Sequence, residues 1–254
     1  MEMKSQGNNW KVVRIVDLYK QIFLRKSVRK YEMEPLSEAE LQEIEAFIAS
    51  MKPLLPEVSL SHRFLGPGEV KGTFGVKAPH YVVISGQAQP NRDLCAGFLF
   101  QQLDLYLSAK GIGTCWLGVT KGKEKPDGGA ADILSICFGK PIGSVTRTLA
   151  AFKRKPMAEI ATGDDPRLEV ARLAPSGTNA QPWHFKAQDG VIHVYQAIPG
   201  KLRAKLYNLQ ALDIGIALCH LAVATEATGK TFRFENRADA PPAPSGFLYI
   251  GTVL

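Results

Sequence analysis

The clearest helical pattern runs through Leu41, Ile44, Phe47 and Ile48, which recur at i, i+3, i+6 and i+7 and form one apolar stripe. Ser37 and Glu40 stand ahead of it at capping-box spacing: the hydroxyl takes the N3 amide and the carboxylate returns to the N-cap amide. Pro53 and Pro56 close the element. An earlier helix is predicted over 13–24, with Ile15, Leu18, Tyr19 and Ile22 on one face. Residues 94–109 are apolar on nearly all sides and too long for a strand, which predicts a buried central helix. Residues 214–227 read the same way. Short β-branched and aromatic runs at 81–84, 133–138, 191–195 and 247–250 predict strands. Asp165 followed by Pro166 reads as an N-cap and first helical residue, starting a helix that runs to Ala174 before Pro175 stops it.

The order helix, strand, long apolar helix, late strand occurs twice. The segments Gly97 to Gly111 and Gly215 to Gly229 both span fourteen steps, with Leu103 against Leu221 and Ala109 against Ala227. A duplicated architecture is expected. The basic run Lys153-Arg154-Lys155-Pro156 and the polar stretch 162–165 mark a change of composition between the copies. The halves are drawn as 1–160 and 161–254, packed into one compact unit.

Composition narrows the class. With 254 residues, 45% hydrophobic and 22% charged, the chain can bury a large core and is neither disordered nor fibrous. No apolar run reaches the roughly 18 residues that a spanning helix needs. Met1 to Lys11 is polar and has no signal-peptide core. Cys95, Cys115, Cys137 and Cys219 are far apart among apolar neighbours and are read as buried free thiols in a reducing compartment. A cytoplasmic protein with no membrane segment is expected. The net charge of +7 suits a nucleic-acid binder, a protein that holds phosphorylated small molecules, or a basic solvated surface. The chain lacks the aromatic-basic interleaving of a nucleic-acid surface, so no such partner is expected. The histidines 62, 80, 184, 193 and 220 are dispersed, and no metal site is expected.

Three segments carry candidate chemistry. Arg25-Lys26-Ser27-Val28-Arg29, if extended, points residues 25, 27 and 29 to one side, where they suit a phosphate or another polyoxygen ligand. A solvated basic turn explains the same residues. The loop 174–183, APSGTNAQPW, is a rigid, polar segment bracketed by two prolines, in which Gly177 allows close approach and Asn179 can both donate and accept. A helix-to-strand connection lidded by Trp183 is its plain structural alternative. Residues 111–118, GIGTCWLG, follow the central helix but lack the spacings of a Rossmann turn or a P-loop. Ser176 has no nucleophile-elbow context.

Together, RKSVRKY, GIGTCWLG and APSGTNAQPWHF resemble the FMN-dependent nitroreductase family, whose P-S-x-x-N-x-Q-P-W string is matched at every fixed position. The resemblance spans nearly the whole chain from Arg25 onward. One departure stands out: the place of the loop in the first half reads Lys52-Pro-Leu-Leu-Pro-Glu57, and the second half has no Arg25-x-Ser27-x-Arg29 counterpart. This is similar to the branch in which two nitroreductase-type halves are fused into a pseudo-dimer.

The resemblance implies an α+β fold, a mainly antiparallel sheet flanked by helices in two pseudo-symmetric halves. It implies one FMN per chain, NAD(P)H as reductant, and ping-pong hydride transfer through flavin N5 to a small nitroaromatic or quinone acceptor. It also covers relatives that dehalogenate or fragment small rings, and a flavin binder without turnover stays open. By resemblance, Arg25 and Ser27 face the FMN phosphate and ribityl chain, and Arg29 the pyrimidine side. Leu117 and Gly118 lie near N5. Pro175, Ser176, Gly177 and Asn179 come across from the other half, and Arg154 with Lys153 meets the phosphate. No acid or base side chain is nominated. A monomer acting as an internal pseudo-dimer is expected.

Overall fold

The computed structural model describes residues 18–200 and 209–254. Residues 18–22 are helical (α1), with Leu18 and Ile22 buried; the 13–17 part of the expected first helix lies outside the described residues. The second helix, α2 (Glu38–Ala49), begins at the expected capping box: Glu40 N donates to Ser37 Oγ, and Ser37 N to Glu40 Oε2. Ile44 and Phe47 form its buried stripe.

Two sheets follow. The first contains β1 (Leu60–Leu65), β3 (His80–Gly86), β4 (Gly113–Leu117) and β6 (Ala131–Gly139), in the order β1-β3-β6-β4 and antiparallel throughout. A two-stranded ribbon of β2 (Val70–Lys71) and β5 (Lys121–Gly122) lies beside it in sequence. The second sheet has the order β10-β11-β9-β8-β7, with β7 (Ala161–Thr162), β8 (Trp183–Gln188), β9 (Val191–Ala197), β10 (Phe234–Glu235) and β11 (Phe247–Val253). Only the β7–β8 pairing is parallel. The four expected strands are present as β3, β6, β9 and β11, each longer than its apolar run.

Two long helices, α3 (Arg92–Ala109) and α6 (Gln210–Ala227), pack against each other; α4 (Met157–Ile160) and α5 (Arg167–Arg172) are short. The helix after Asp165 is shorter than the sequence suggests. Asp165 Oδ1 still accepts the amide of Arg167, but the helix ends at Arg172 instead of Ala174. Leu173 and Ala174 close with tight turn bonds, since Pro175 disfavours a helical conformation in the residue before it.

The structure repeats internally. Leaving aside the two-residue strands β2, β5 and β7, in each half two strands precede a long helix and two follow it, and the last strand inserts between the second and third. The orders β1-β3-β6-β4 and β8-β9-β11-β10 are therefore the same. A shift of 118 residues carries α3 onto α6 at both ends. Their crossing is reciprocal. A Cβ on Gly97 would come 2.0 Å from Leu212 O, and a Cβ on Gly215 would come 2.0 Å from Leu94 O. Glycine at both positions lets the backbones touch.

Strand alternation sorts the core. Val82 and Ile84 join the main cluster around the helix pair, while Tyr81 and Val83 join a satellite cluster under Val28 and Tyr31. All four cysteines are buried free thiols. Among the described residues no helix is long and apolar enough to cross a membrane, and no group of three His, Cys, Asp or Glu could hold a metal ion.

Candidate functional site

The segment after α1 is extended. Ser27 pairs in parallel with Thr114 at the edge of the first sheet, which sets Ser27 and Arg29 beside the exit of β4. On β4, Cys115 and Leu117 point into the satellite cluster, so Trp116 points the other way. The Leu117 side chain thus faces away from the site, whereas Gly118 borders it.

From the second half comes the loop after α5. Thr178, Asn179 and Gln181 all have positive φ, at 52°, 57° and 49°. For a β-branched residue such as Thr178 this is a true outlier, held here by a dense local network. Gln181 N donates to Ser176 Oγ at 2.9 Å, and Lys155 N donates to Gln181 Oε1 at 2.8 Å.

These pieces meet around two adjoining cavities of about 110 and 350 Å³. Ser27, Arg29, Pro175 and Ser176 line the smaller; Trp116, Gly118, Gly177, Thr178, Leu209 and Asp213 line both. Phe74 borders the larger. Gly118 is needed for the close approach of Leu209: a Cβ there would lie 2.5 Å from Leu209 Cδ1.

Arg25 does not line the cavities. It is 2% exposed, its Nε lies 2.8 Å from Asp104 Oδ2, and its Nη2 donates to Ser27 Oγ at 3.3 Å. The solvated-turn alternative therefore fails for Arg25, although Arg29 is exposed. Asp104 also accepts from Thr114 Oγ1 and, at 3.0 Å, from Gln101 Nε2. Gln101 Oε1 in turn receives the Trp116 indole N–H at 3.2 Å. Burial holds His220 down at about 3, hence neutral. Its Nδ1 meets Val170 O at 3.1 Å, which leaves Nε2 to accept from Gln101 Nε2 at 3.3 Å. A buried polar chain thus links the Ser27 segment, Trp116 and α5.

A cation cluster adjoins this chain. Arg154 Nη1 donates to Asn179 Oδ1 at 2.9 Å, and Asn179 Nδ2 donates to Lys153 O at 2.8 Å. Arg147, absent from the sequence reading, donates through Nε to Arg25 O at 3.1 Å. Burial, then repulsion from Arg147, Arg25 and Arg172, lowers Arg154 to about 9. Burial and Arg25 lower Arg147 to about 10. Among the described residues neither has a carboxylate partner, and Arg154 Nε is buried without a hydrogen bond. An arrangement of mutually repelling guanidiniums fits an anion.

Asp213, also missed in the sequence, is 3% exposed and lines both cavities. Burial raises its carboxyl to about 7, while Gly177 N, donating to Oδ1 at 2.9 Å, pulls the other way.

Residues 17–225 match the family model described as "Putative TM nitroreductase". The chain belongs to the nitroreductase family. A Thermotoga maritima crystal structure, described as a "putative nitroreductase", shares its fold with a TM-score of 0.64 at 22% identity, covering 93% of this chain and 92% of the other. A nitroreductase family protein from Clostridium difficile matches 59% of this chain and 98% of its own, at 14% identity and a TM-score of 0.46. Nitroreductase A from Vibrio parahaemolyticus matches 50% of this chain and 69% of its own, at 13% identity and a TM-score of 0.39. Among curated proteins none matches this sequence significantly. As a nitroreductase-family member the chain is an oxidoreductase.

Proposed function

We propose that this nitroreductase-family chain is an FMN-dependent oxidoreductase that passes reducing equivalents from NAD(P)H to a small nitroaromatic or quinone acceptor. The observation that carries this reading is a glycine-walled cavity backed by two carboxylate-free guanidiniums: Thr178 on its wall precedes Asn179, which Arg154 holds, and Ser27 on its wall is bonded to Arg25, whose carbonyl Arg147 holds. The orphaned Arg154 Nε fits a phosphate, and the close approach at Gly118 and Gly177 fits a flat ring.

Ser27, Arg154, Lys153 and Asn179 would hold the phosphate and ribityl end, with Arg147 added to the set expected from sequence. Arg25 acts from behind, fixing Ser27 through its bond to the hydroxyl. Pro175, Ser176, Gly177, Gly118 and the backbone of Leu117 would border the ring. Bound FMN supplies hydride acceptance and donation, with reductant and acceptor using one cavity in turn.

The side chains do the rest. Arg29 offers a cation where negative charge develops on reduction. Trp116, held by Gln101, walls the cavity against water. Asp213 holds a proton near neutrality on a carboxyl that lines the cavity, and would supply the acid for which the sequence nominated no side chain.

We further propose that the chain is a fused pseudo-dimer working as a monomer in the cytoplasm. The repeated strand order and the reciprocal glycine crossing support the fusion. Because the loop and the basic segment occur once each, one FMN per chain is expected. Acid-released flavin measured against protein tests this: a ratio near one, with bleaching by NAD(P)H and recovery on adding a nitroaromatic, is expected. A ratio near two removes the fusion argument, and flavin that NAD(P)H does not bleach leaves a binder without turnover.

A further inference from the structure

A larger cavity, about 510 Å³, lies apart from this site. It shares no lining residue with the two cavities above. Its walls come from the repeat-related elements. The loop after α2, Lys52 to Leu54, replaces the loop after α5, and β10 replaces β4. Phe98 on α3 stands 118 residues before Ile216 on α6, which lines the smaller cavity. The repeat thus carries two cavities on equivalent elements, and their linings differ.

Their chemistry differs residue by residue. Where α3 carries Gln101 and Asp104, α6 carries Cys219 and Ala222, and both of these line the larger cavity. Leu18, Leu54, Phe232 and Phe234 complete an apolar wall, with Phe98 and Phe232 stacked at 5.7 Å between centroids and 25° between planes. Four charged residues line it. Lys52 and Glu226 form a half-exposed ion pair at 2.9 Å, and Arg233 and Glu235 are both exposed, so the charges sum to zero. Gln102 is occupied by the Lys52 backbone in both directions. Nothing here matches the guanidinium cluster that adjoins the other site.

We infer that this cavity is a second small-molecule site, for an uncharged, planar aromatic compound of two or three rings that carries no phosphate. The volume falls in the range of ligand pockets, roughly 300–1,000 Å³. The aromatic wall of Phe98, Phe232 and Phe234 suits a flat aromatic molecule, and the balanced charges suit one with no net charge. The inference does not rest on the FMN reading, because it uses none of that site's residues.

The test uses the full chain and 6-fluoro-2-naphthol, an uncharged two-ring probe with nothing to reduce, followed by fluorine NMR with and without saturating FMN. Visible absorbance reads FMN binding separately, so the two readings can fail independently. Probe binding unchanged by FMN, and weakened at least about tenfold by Ala222→Phe, which fills the cavity, is the expected result. Should Ala222→Phe fail to fold by circular dichroism, Leu54→Trp, on the same cavity wall, carries the same test. No binding to the parent chain overturns the inference. Displacement of the probe by FMN, or parent-like binding in the folded filled variants, does so too.

Discussion

The two halves of this chain share a strand order and a helix crossing, yet they differ at almost every polar position near their cavities. Asp104 answers to Ala222, Gln101 to Cys219 and Asp213 to Cys95. The constants are what packing needs: buried apolar faces, and a glycine on each central helix where the backbones meet. The variables are side chains whose buried polar atoms require partners. A repeated scaffold holds its shape while only one of the two cavities keeps a buried charged network behind it. Function here is grafted on the fold and not dictated by it.

That contrast can be attacked at three points. The largest effect belongs to Asp104→Ala. It leaves Arg25 buried without its carboxylate, so a loss of about 3–5 kcal/mol is expected in urea denaturation. A loss below about 1 kcal/mol would mean that the network is ornamental and the halves are not so different.

Asp213 comes next, through pH. Burial lifts its carboxyl from 3.8 to about 7, so the folded chain keeps a proton that the unfolded chain releases. Its contribution to stability is greatest below 3.8 and falls as pH rises to about 7. His220 has the opposite sign: lowered from 6.5 to about 3, it contributes above 6.5 and its contribution is lost as pH falls toward about 3. The two slopes oppose in the wild type. Asp213→Asn removes one, and should therefore gain about 2–4 kcal/mol on the parent between acid and neutral pH. A difference constant with pH would show that Asp213 ionises normally.

The crossing itself gives the smallest effect and the sharpest symmetry. Gly97→Ala and Gly215→Ala each push a methyl group into a carbonyl of the other helix, at an expected cost of about 1–3 kcal/mol apiece. Their double variant should cost less than the sum, since one separation of the helices relieves both. Unequal single effects would break the proposed equivalence.

Much of this was readable in the sequence, for reasons that can be named. The capping box at Ser37 and the two all-apolar helices have no competing pattern. Among the strands longer than two residues, three were harder. β1, LSHRFL, is half-buried along nearly its whole length, so no alternation shows. β4, GTCWL, is short and set among glycines, so no strand pattern stands out, and β8 hid inside the segment that follows Pro182. At the site, Ser27, Arg29, Gly118 and the Pro175–Gly177 stretch were nominated and do line one place. Arg147 gave no local signal, because its role depends on a fold that brings it to Arg25 and Phe152. Asp104 and Asp213 did leave one: a lone acid in an apolar helix must be buried with a partner or a purpose.

The position of Trp116 gives the molecule an optical consequence. Its indole walls the cavities and its N–H is pinned by Gln101, whereas Trp183 lies 1% exposed in the second half, remote from solvent. Trp10 is outside the described residues. The chain therefore contains an emitter whose light responds to what fills the cavity and another whose light responds to the loss of its own sheet. Replacing Trp116 by Phe would separate the two signals, so that occupancy and unfolding could be followed in the same cuvette without a label.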